Sequence, residues 1–265
     1  MPGAEINGAS LSWREAGAGE RVLLLVHGFP LSSAMWEPQL EAPPPGWRLV
    51  APDLRGFGES RPVPDQLTMD MAAADLAGLL RHLGVPGAVV CGLSMGGYIT
   101  FAMLRNHPEL VRGMVLCDTR AEPDTAEARA GRLEKAAAVR EKGTEAMMAD
   151  MLPALLSPFT MSKRPAIVES VRSQLAEATP AAVVAALHGM AARPDSTPLL
   201  RSINIPTQVL AGADDSITPA GEARVMARAI PGARFDTVED AGHLSNLENP
   251  FDFNAFLKTF LAGFP

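Results

Sequence analysis

For its first 117 residues the chain alternates short, unbroken apolar runs with stretches of helical periodicity. Arg21 to Val26, Trp47 to Pro52, Val85 to Cys91 (interrupted by Pro86-Gly87) and Val111 to Cys117 are runs of strand length. They lack the apolar–polar alternation of a strand with one wet face, so they predict strands covered on both sides. Between them, Met69, Ala72, Leu76, Leu79, Leu80 and Leu83 recur at helical spacing, predicting a helix from Thr68 to Leu83 that Gly84 stops. Weak alternation over residues 4–16 with Asn7-Gly8 in the middle predicts an antiparallel hairpin at a sheet edge.

The alternation then lapses. From Glu122 to about Thr197 there is no strand-like run; the segment is rich in Ala, Met, Arg and Glu, with breaks at Pro153, Pro158, Pro165, Pro180 and Pro194. Roughly 75 residues is far more than one crossover between parallel strands needs, so the segment reads as an inserted helical cap. Strands resume at Thr207 to Gly212 and Arg234 to Val238. Thr218-Pro219 predicts a helix start with the threonine as cap, and Phe251, Phe253, Phe256, Leu257, Phe260 and Leu261 mark a last amphipathic helix. The fold class is therefore α/β: a mostly parallel sheet flanked by helices, with a core of residues 1–119 and 199–265 and a cap of residues 120–198.

Composition narrows the function. The chain has 265 residues, enough for a substantial core, and a net charge of −7. A pI near 5.3 argues against nucleic acid or an anionic membrane as partner. Cys91 and Cys117 both fall inside predicted strands, as reduced core thiols do. No basic-then-apolar leader opens the sequence, and no apolar run approaches the ~18 residues of a membrane span. A cytoplasmic protein, monomer or homodimer, is the expectation.

The chemistry centres on Gly92-Leu93-Ser94-Met95-Gly96, a G-x-S-x-G pattern between the third apolar run and the apolar helix that begins at Gly97. A strand turning straight into a helix strains the central residue and exposes its hydroxyl at a helix N-terminus. The plain alternative is a glycine-rich turn with a surface serine. Such a serine needs a base. His82 and His107 belong to helices, His27 to the first strand's turn and His188 to the cap. His243 alone follows a strand in a loop, Asp240-Ala241-Gly242-His243, on the edge that the serine shares. An acid in the loop after Gly212, at Asp214 or Asp215, completes the order Ser…Asp…His.

With His27-Gly28-Phe29-Pro30, Asp53-x-Arg55-Gly56-x-Gly58-x-Ser60, the serine turn, Gly212-x-x-Asp215-x-x-x-Pro219 and Gly242-His243 in place, the chain resembles the α/β-hydrolase-fold enzymes over nearly all its core. That resemblance implies Asp215 as the acid, with Asp118 as the other position related enzymes use. It implies an oxyanion hole from the backbone N–H groups of Phe29 and Met95, and acyl transfer through a serine ester with no cofactor. The Asp53 loop reads as structural, with Arg55 holding carbonyls or a carboxylate near the serine turn. No His/Asp/Glu/Cys cluster has metal-ligand spacing. The cap and Leu116-Cys117-Asp118-Thr119 are similar to 3-oxoadipate enol-lactonase-like proteins and small bacterial carboxylesterases. Candidate substrate-binding residues are Trp36, beside Met35, and the cap methionines Met147 and Met151. The implied partner is a small-molecule ester or lactone. A lactone carrying carboxylates requires an inward arginine such as Arg120, Arg129 or Arg132. The cap arginines are interleaved with glutamates, as on a solvated face, so the ester is the expected substrate. A ligand-binding homologue with little turnover is the alternative of a different class.

Overall fold

The structure is a computed structural model and describes residues 1–264. Eight strands form one sheet in the order β1-β2-β4-β3-β5-β6-β7-β8. β1 (Gly3–Ile6) and β2 (Ala9–Ala16) are the antiparallel hairpin, turning on Asn7 and Gly8 with φ of 51° and 75°. Two consecutive left-handed residues suit the tightest hairpin turn, for which Asn-Gly is the favoured pair. β3 (Arg21–Val26), β4 (Trp47–Pro52), β5 (Ala88–Leu93), β6 (Val111–Cys117), β7 (Thr207–Gly212) and β8 (Arg234–Val238) are parallel. Every residue of β5 and β7 is buried, which explains why they read as unbroken apolar runs.

The chain leaves β3 for β4 on one side and returns to β5 on the other. The loops after β3 and β5 therefore diverge at the carboxyl edge of adjacent strands, leaving a crevice at the point where the winding reverses. α1 (Met69–His82) is capped by the Thr68 hydroxyl on the Met71 N–H, as its sequence predicts. α2 (Met95–Asn106) follows β5 without an intervening loop.

Between β6 and β7 lie α3 (Ala126–Lys142), α4 (Glu145–Leu155), α5 (Pro158–Lys163), α6 (Pro165–Glu177) and α7 (Pro180–Ala191). Thr125, Ser157 and Thr179 cap α3, α5 and α7 through their hydroxyls, and Pro158, Pro165 and Pro180 open α5, α6 and α7. α7 is apolar nearly all round and is sandwiched between α3 and the core. A Cβ at Gly189 would lie 1.6 Å from the Leu67 carbonyl oxygen, and the Leu67 N–H donates to Ala185 at 3.0 Å. The cap is thus bonded to the core through backbone. α8 (Ala220–Ala229) and α9 (Pro250–Leu261) complete the chain.

Four details differ from the sequence expectation. β5 begins at Ala88, not Val85, because Pro86 has no N–H to give a ladder. Pro153 does not end its helix: it sits exposed within the last turn of α4, where a lost hydrogen bond faces solvent. Phe251 stands 83% exposed while Phe253, Leu257, Phe260 and Leu261 turn inward. Thr218 is not a helix cap; α8 starts after Pro219, and the Thr218 hydroxyl is used elsewhere.

Candidate active site

Ser94 sits at the β5–α2 junction with φ 55° and ψ −114°, outside the region L-residues ordinarily occupy. The turn exists because its neighbours lack side chains. A Cβ at Gly92 would lie 2.2 Å from the Gly96 carbonyl oxygen, and one at Gly96 would lie 2.1 Å from that of Val26. The Ser94 N–H donates to the Cys117 carbonyl at 2.9 Å, and the Thr119 hydroxyl donates to the Ser94 carbonyl at 2.8 Å, so the end of β6 and the loop after it hold both sides of the strained residue. Ser94 itself remains partly exposed.

The loops after β7 and β8 bring the remaining groups. Ser94 Oγ lies 2.8 Å from His243 Nε2, and His243 Nδ1 lies 2.8 Å from Asp215 Oδ2. The two loops pack glycine to glycine: a Cβ at Gly212 would lie 2.0 Å from the Gly242 carbonyl oxygen. Asp215 is buried but saturated with donors. Its Oδ1 accepts from the Ile217 and Thr218 N–H groups at 2.8 and 3.0 Å, and Oδ2 accepts from the Thr218 hydroxyl at 2.6 Å. Burial alone raises such a carboxyl. The His243 ring and the Thr218 donors outweigh burial and hold Asp215 below the usual carboxylate range. With Asp215 ionised, Nδ1 carries the imidazole proton and Nε2 is free to accept from Ser94. Asp214, its neighbour, is exposed and has no contact with His243.

Asp118 is close but differently engaged. It is fully buried with φ 46°, its Oδ1 accepts from the Gly212 N–H at 2.8 Å, and its Oδ2 meets the Ser245 hydroxyl. Burial first, then the charge of Asp215, pushes its carboxyl well above the ordinary range despite the opposing hydrogen bonds. It braces the loops that carry Asp215 and His243 and makes no hydrogen bond to the imidazole.

Phe29 and Met95 flank the serine. Met95 is the first residue of α2, whose opening N–H groups have no acceptor within the helix. A Cβ at Gly28 would lie 3.5 Å from Ser94 Cβ, so the loop after β3 lies against the serine turn. His27 organises that loop. It is buried, its Nε2 accepts from the Leu54 N–H at 3.0 Å, and its Nδ1 therefore donates to the Gly28 carbonyl at 3.0 Å. Burial keeps this ring's basicity below that of a free histidine, against the opposing Gly28 bond and Asp53 charge. The Leu31 N–H also donates to Gly28 O, at 3.0 Å. Fixing that carbonyl fixes the trans-directed Phe29 N–H of the same planar peptide.

The Asp53 loop is structural, as expected, through unexpected partners. Asp53 accepts from the Ser33 and Glu59 N–H groups at 2.8 and 2.9 Å. Arg55 does not approach the serine turn: it pairs with Asp75 of α1 at 2.7 Å and with the Asn7 carbonyl of the hairpin turn. Trp36 does not line a pocket either. It is fully buried against Phe253 of α9, and Met35 is equally buried with its sulfur accepting from the Gly28 N–H at 3.3 Å. Met147 and Met151 are half-buried on α4, while Met148 and Leu152 fill the cap interior. Met151 lies one turn before Leu155, whose carbonyl accepts from the His243 N–H at 3.0 Å. Arg129 is exposed, and Arg120 pairs outward with Glu222 and the Ile217 carbonyl. Arg132 is half-buried, with Nε on Asp124 at 2.7 Å.

The sequence reading gave Thr218 only a helix-capping role and Thr119 only a place in a motif, and it did not single out Ser245 or Glu248, nor the role of His27. Glu248 carried a signal, a lone charge in the stretch Ser245-Asn246-Leu247-Glu248-Asn249, every residue of which is buried except Asn249. Thr218 lies three residues beyond Asp215, the spacing of a side-chain-capped turn. No helix among the described residues is long and apolar enough to cross a membrane, and among them no group of three or more His, Cys, Asp or Glu is placed to hold a metal ion.

Known proteins extend these observations. Residues 21–250 match the alpha/beta hydrolase fold family. The 3-oxoadipate enol-lactonase 2 of Acinetobacter baylyi is 27% identical over 96% of this chain and 94% of its own. A thermophilic esterase from Thermogutta terrifontis, solved with malate bound, superposes with a TM-score of 0.94 at 40% identity, covering 99% of this chain and 98% of its own. The enol-lactonase of Burkholderia xenovorans LB400 does so with a TM-score of 0.90 at 28% identity, over 98% of this chain and 100% of its own. With the sheet order, the serine turn and the carboxyl-edge loops accounted for, the chain belongs to the α/β-hydrolase fold family, with esterases and enol-lactonases among its relatives.

Proposed function

We propose that the protein is a serine carboxylic-ester hydrolase acting on small to medium acyl esters. The observation that carries this reading is the unbroken line from Ser94 through His243 to Asp215, with both links at 2.8 Å. His243 takes the Ser94 proton as the oxygen attacks the ester carbonyl, and Asp215 holds the ring tautomer and steadies the imidazolium. The Phe29 and Met95 N–H groups receive the charge that develops on the carbonyl oxygen. The alcohol leaves with the proton from His243, and water activated by the same ring hydrolyses the acyl-enzyme. The half-buried Met147 and Met151 offer an apolar wall to a short acyl chain. The test is Ser94→Ala: hydrolysis of p-nitrophenyl butyrate should fall by several orders of magnitude with an unchanged melting curve. Turnover near the wild-type rate would point to the ligand-binding alternative.

One observation favours a second reading, a substrate that also carries a carboxylate, as an enol-lactone does. Tyr98 stands one turn after Ser94 on α2, and the Arg193 guanidinium lies 4.2 Å from its ring centroid. Asp124 bridges Arg193 and Arg132 at 2.7 Å each. Arg132 then has Nη1 left over, facing only the Met190 sulfur at 3.6 Å, a weak acceptor that an anion would displace. Two guanidinium groups on one carboxylate leave a net positive charge at the seam between cap and core. Arg132→Ala separates the readings: it should raise KM for a carboxylate-bearing substrate and leave p-nitrophenyl butyrate unchanged.

A further inference from the structure

The mechanism above does not use Glu248, although its carboxylate is the buried charge nearest in sequence to His243 on the carboxyl side. Its Oε1 accepts from the Gly242 N–H at 2.8 Å and from the Leu244 N–H at 3.4 Å, the two peptide groups that bracket His243. Its Oε2 accepts at 2.7 Å from the N–H of Ser157, which belongs to the cap. Ser157 is the capping residue of α5 and follows α4 by two positions.

The same short segment makes further bonds to the loops of the site. The His243 N–H donates to the Leu155 carbonyl at 3.0 Å, and the Ser157 hydroxyl donates to the Asp240 carbonyl at 3.2 Å. On the other loop, the Ser216 hydroxyl reaches Ala154 O at 3.4 Å. The Arg164 guanidinium, from the start of α6, holds the Glu248 carbonyl. Residues 154–157 thus lie along the loop of the base, bonded through main chain, with Glu248 as the side chain common to both. The contact also accounts for Gly242: a Cβ there would lie 2.7 Å from Ser157 N and 3.0 Å from the Leu156 carbonyl carbon.

We propose that Glu248 is a positioning residue that ties the seating of α4 in the cap to the placement of His243 over Ser94. If residues 154–157 shifted while the loop of His243 stayed in place, the buried Ser157 N–H and one Glu248 oxygen would lose each other as partners. That cost makes the cap junction and the loop of the base move as one unit. A substrate that settles α4 through Met147 and Met151 then also settles the imidazole. The inference rests on the esterase reading for what His243 does, and on the hydrogen bonds alone for the coupling.

The test is Glu248→Gln. The amide keeps one acceptor but must set its NH2 against either the Ser157 or the Gly242 N–H, donor to donor, so the strap breaks in both orientations. With p-nitrophenyl butyrate, kcat should fall about tenfold, the effect of one misplaced buried hydrogen bond on the transition state, while KM changes little. Amide hydrogen exchange should quicken together over residues 150–160 and 240–248. Gly242→Ala, which pushes the strap from its other side, should reproduce both effects and serves if the first variant does not fold. Faster exchange confined to 240–248, or a lowered melting point with kcat unchanged, overturns the coupling. If the wild type hydrolyses no ester, the proposed function falls instead, and the paired exchange still decides whether Glu248 joins the two segments.

Discussion

Asp215→Asn tests the site most sharply, because the surrounding donors dictate which way the new amide faces. Asp215 Oδ1 lies in a pocket of two backbone donors, the N–H groups of Ile217 and Thr218 at 2.8 and 3.0 Å. An asparagine must put its oxygen there, since the reverse leaves two buried N–H groups unpaired at about 1–3 kcal/mol each. Its NH2 then faces His243 Nδ1 where a carboxylate oxygen lay at 2.8 Å. An NH2 can only donate, so Nδ1 becomes the acceptor and the ring proton moves to Nε2, toward Ser94. The base is lost with no atom displaced. The expected cost is on the order of 10⁴ in kcat, about 5 kcal/mol of transition-state stabilisation. KM should hardly move, because Asp215 bonds only Ile217, Thr218 and His243 and not the proposed apolar wall of Met147 and Met151. The control is Asp118→Asn. Burial and the Asp215 charge push the Asp118 carboxyl well above its ordinary range, and an asparagine there sets its oxygen on the Gly212 N–H and its NH2 on the Ser245 hydroxyl, which then accepts instead of donating. That variant should keep kcat within about threefold, since no hydrogen bond is lost. Steady-state hydrolysis of p-nitrophenyl butyrate by both variants decides the matter. A crippled Asp118→Asn beside a mild Asp215→Asn would place the acid on β6 and refute the tautomer argument.

Other consequences follow from the same contacts. The folded-state carboxyl of Asp118 lies above its unfolded value near 3.9, so the native state retains a proton that the unfolded chain has released, and stability falls as pH rises through that window. Melting temperatures of Asp118→Asn minus wild type should accordingly become more positive from about pH 4 upward, and a flat difference would mean that the carboxyl titrates alike in the folded and unfolded chain. Asp215 carries the opposite sign: its contribution is full above the unfolded value and is lost as pH falls through its lowered folded one, so Asp215→Asn should cost least in strong acid. His27→Ala frees the Gly28 carbonyl and with it the Phe29 N–H; kcat for an ester should drop by about 10² or less with KM nearly constant, and an equal rise in KM would argue against an oxyanion role for that loop. Gly96→Ala drives a Cβ to 2.1 Å from the Val26 carbonyl oxygen and should abolish soluble expression or lower the melting point sharply, with no mild outcome compatible with the turn.

What was legible in the sequence, and what was not, divides along the range of the interaction. β3, β4, β6 and β7 coincide with their largely apolar runs because a strand covered on both faces needs little but apolar side chains, a local property. Ser94 and His243 were legible for a related reason. Each stands beside glycines whose absent Cβ atoms make room for another backbone, and a glycine at a close approach can be read without knowing what approaches it. The readings that failed depended on which distant group arrives. Thr218 beside Pro219 has the form of a helix cap, but Asp215 folds back and takes its hydroxyl, because burying a carboxylate demands every donor within reach. Trp36, next to the oxyanion loop in sequence, is claimed by Phe253 from the far end of the chain. Arg55 is drawn to Asp75 and the hairpin turn for the same reason. Glu248 is the limiting case. Its three donors come from two segments that are more than 80 residues apart in sequence, and only the fold makes a single carboxylate the link between them. The residues proposed to do the chemistry are thus marked by the small side chains around them. Those that hold the chemistry in place are marked only by partners the sequence keeps far away.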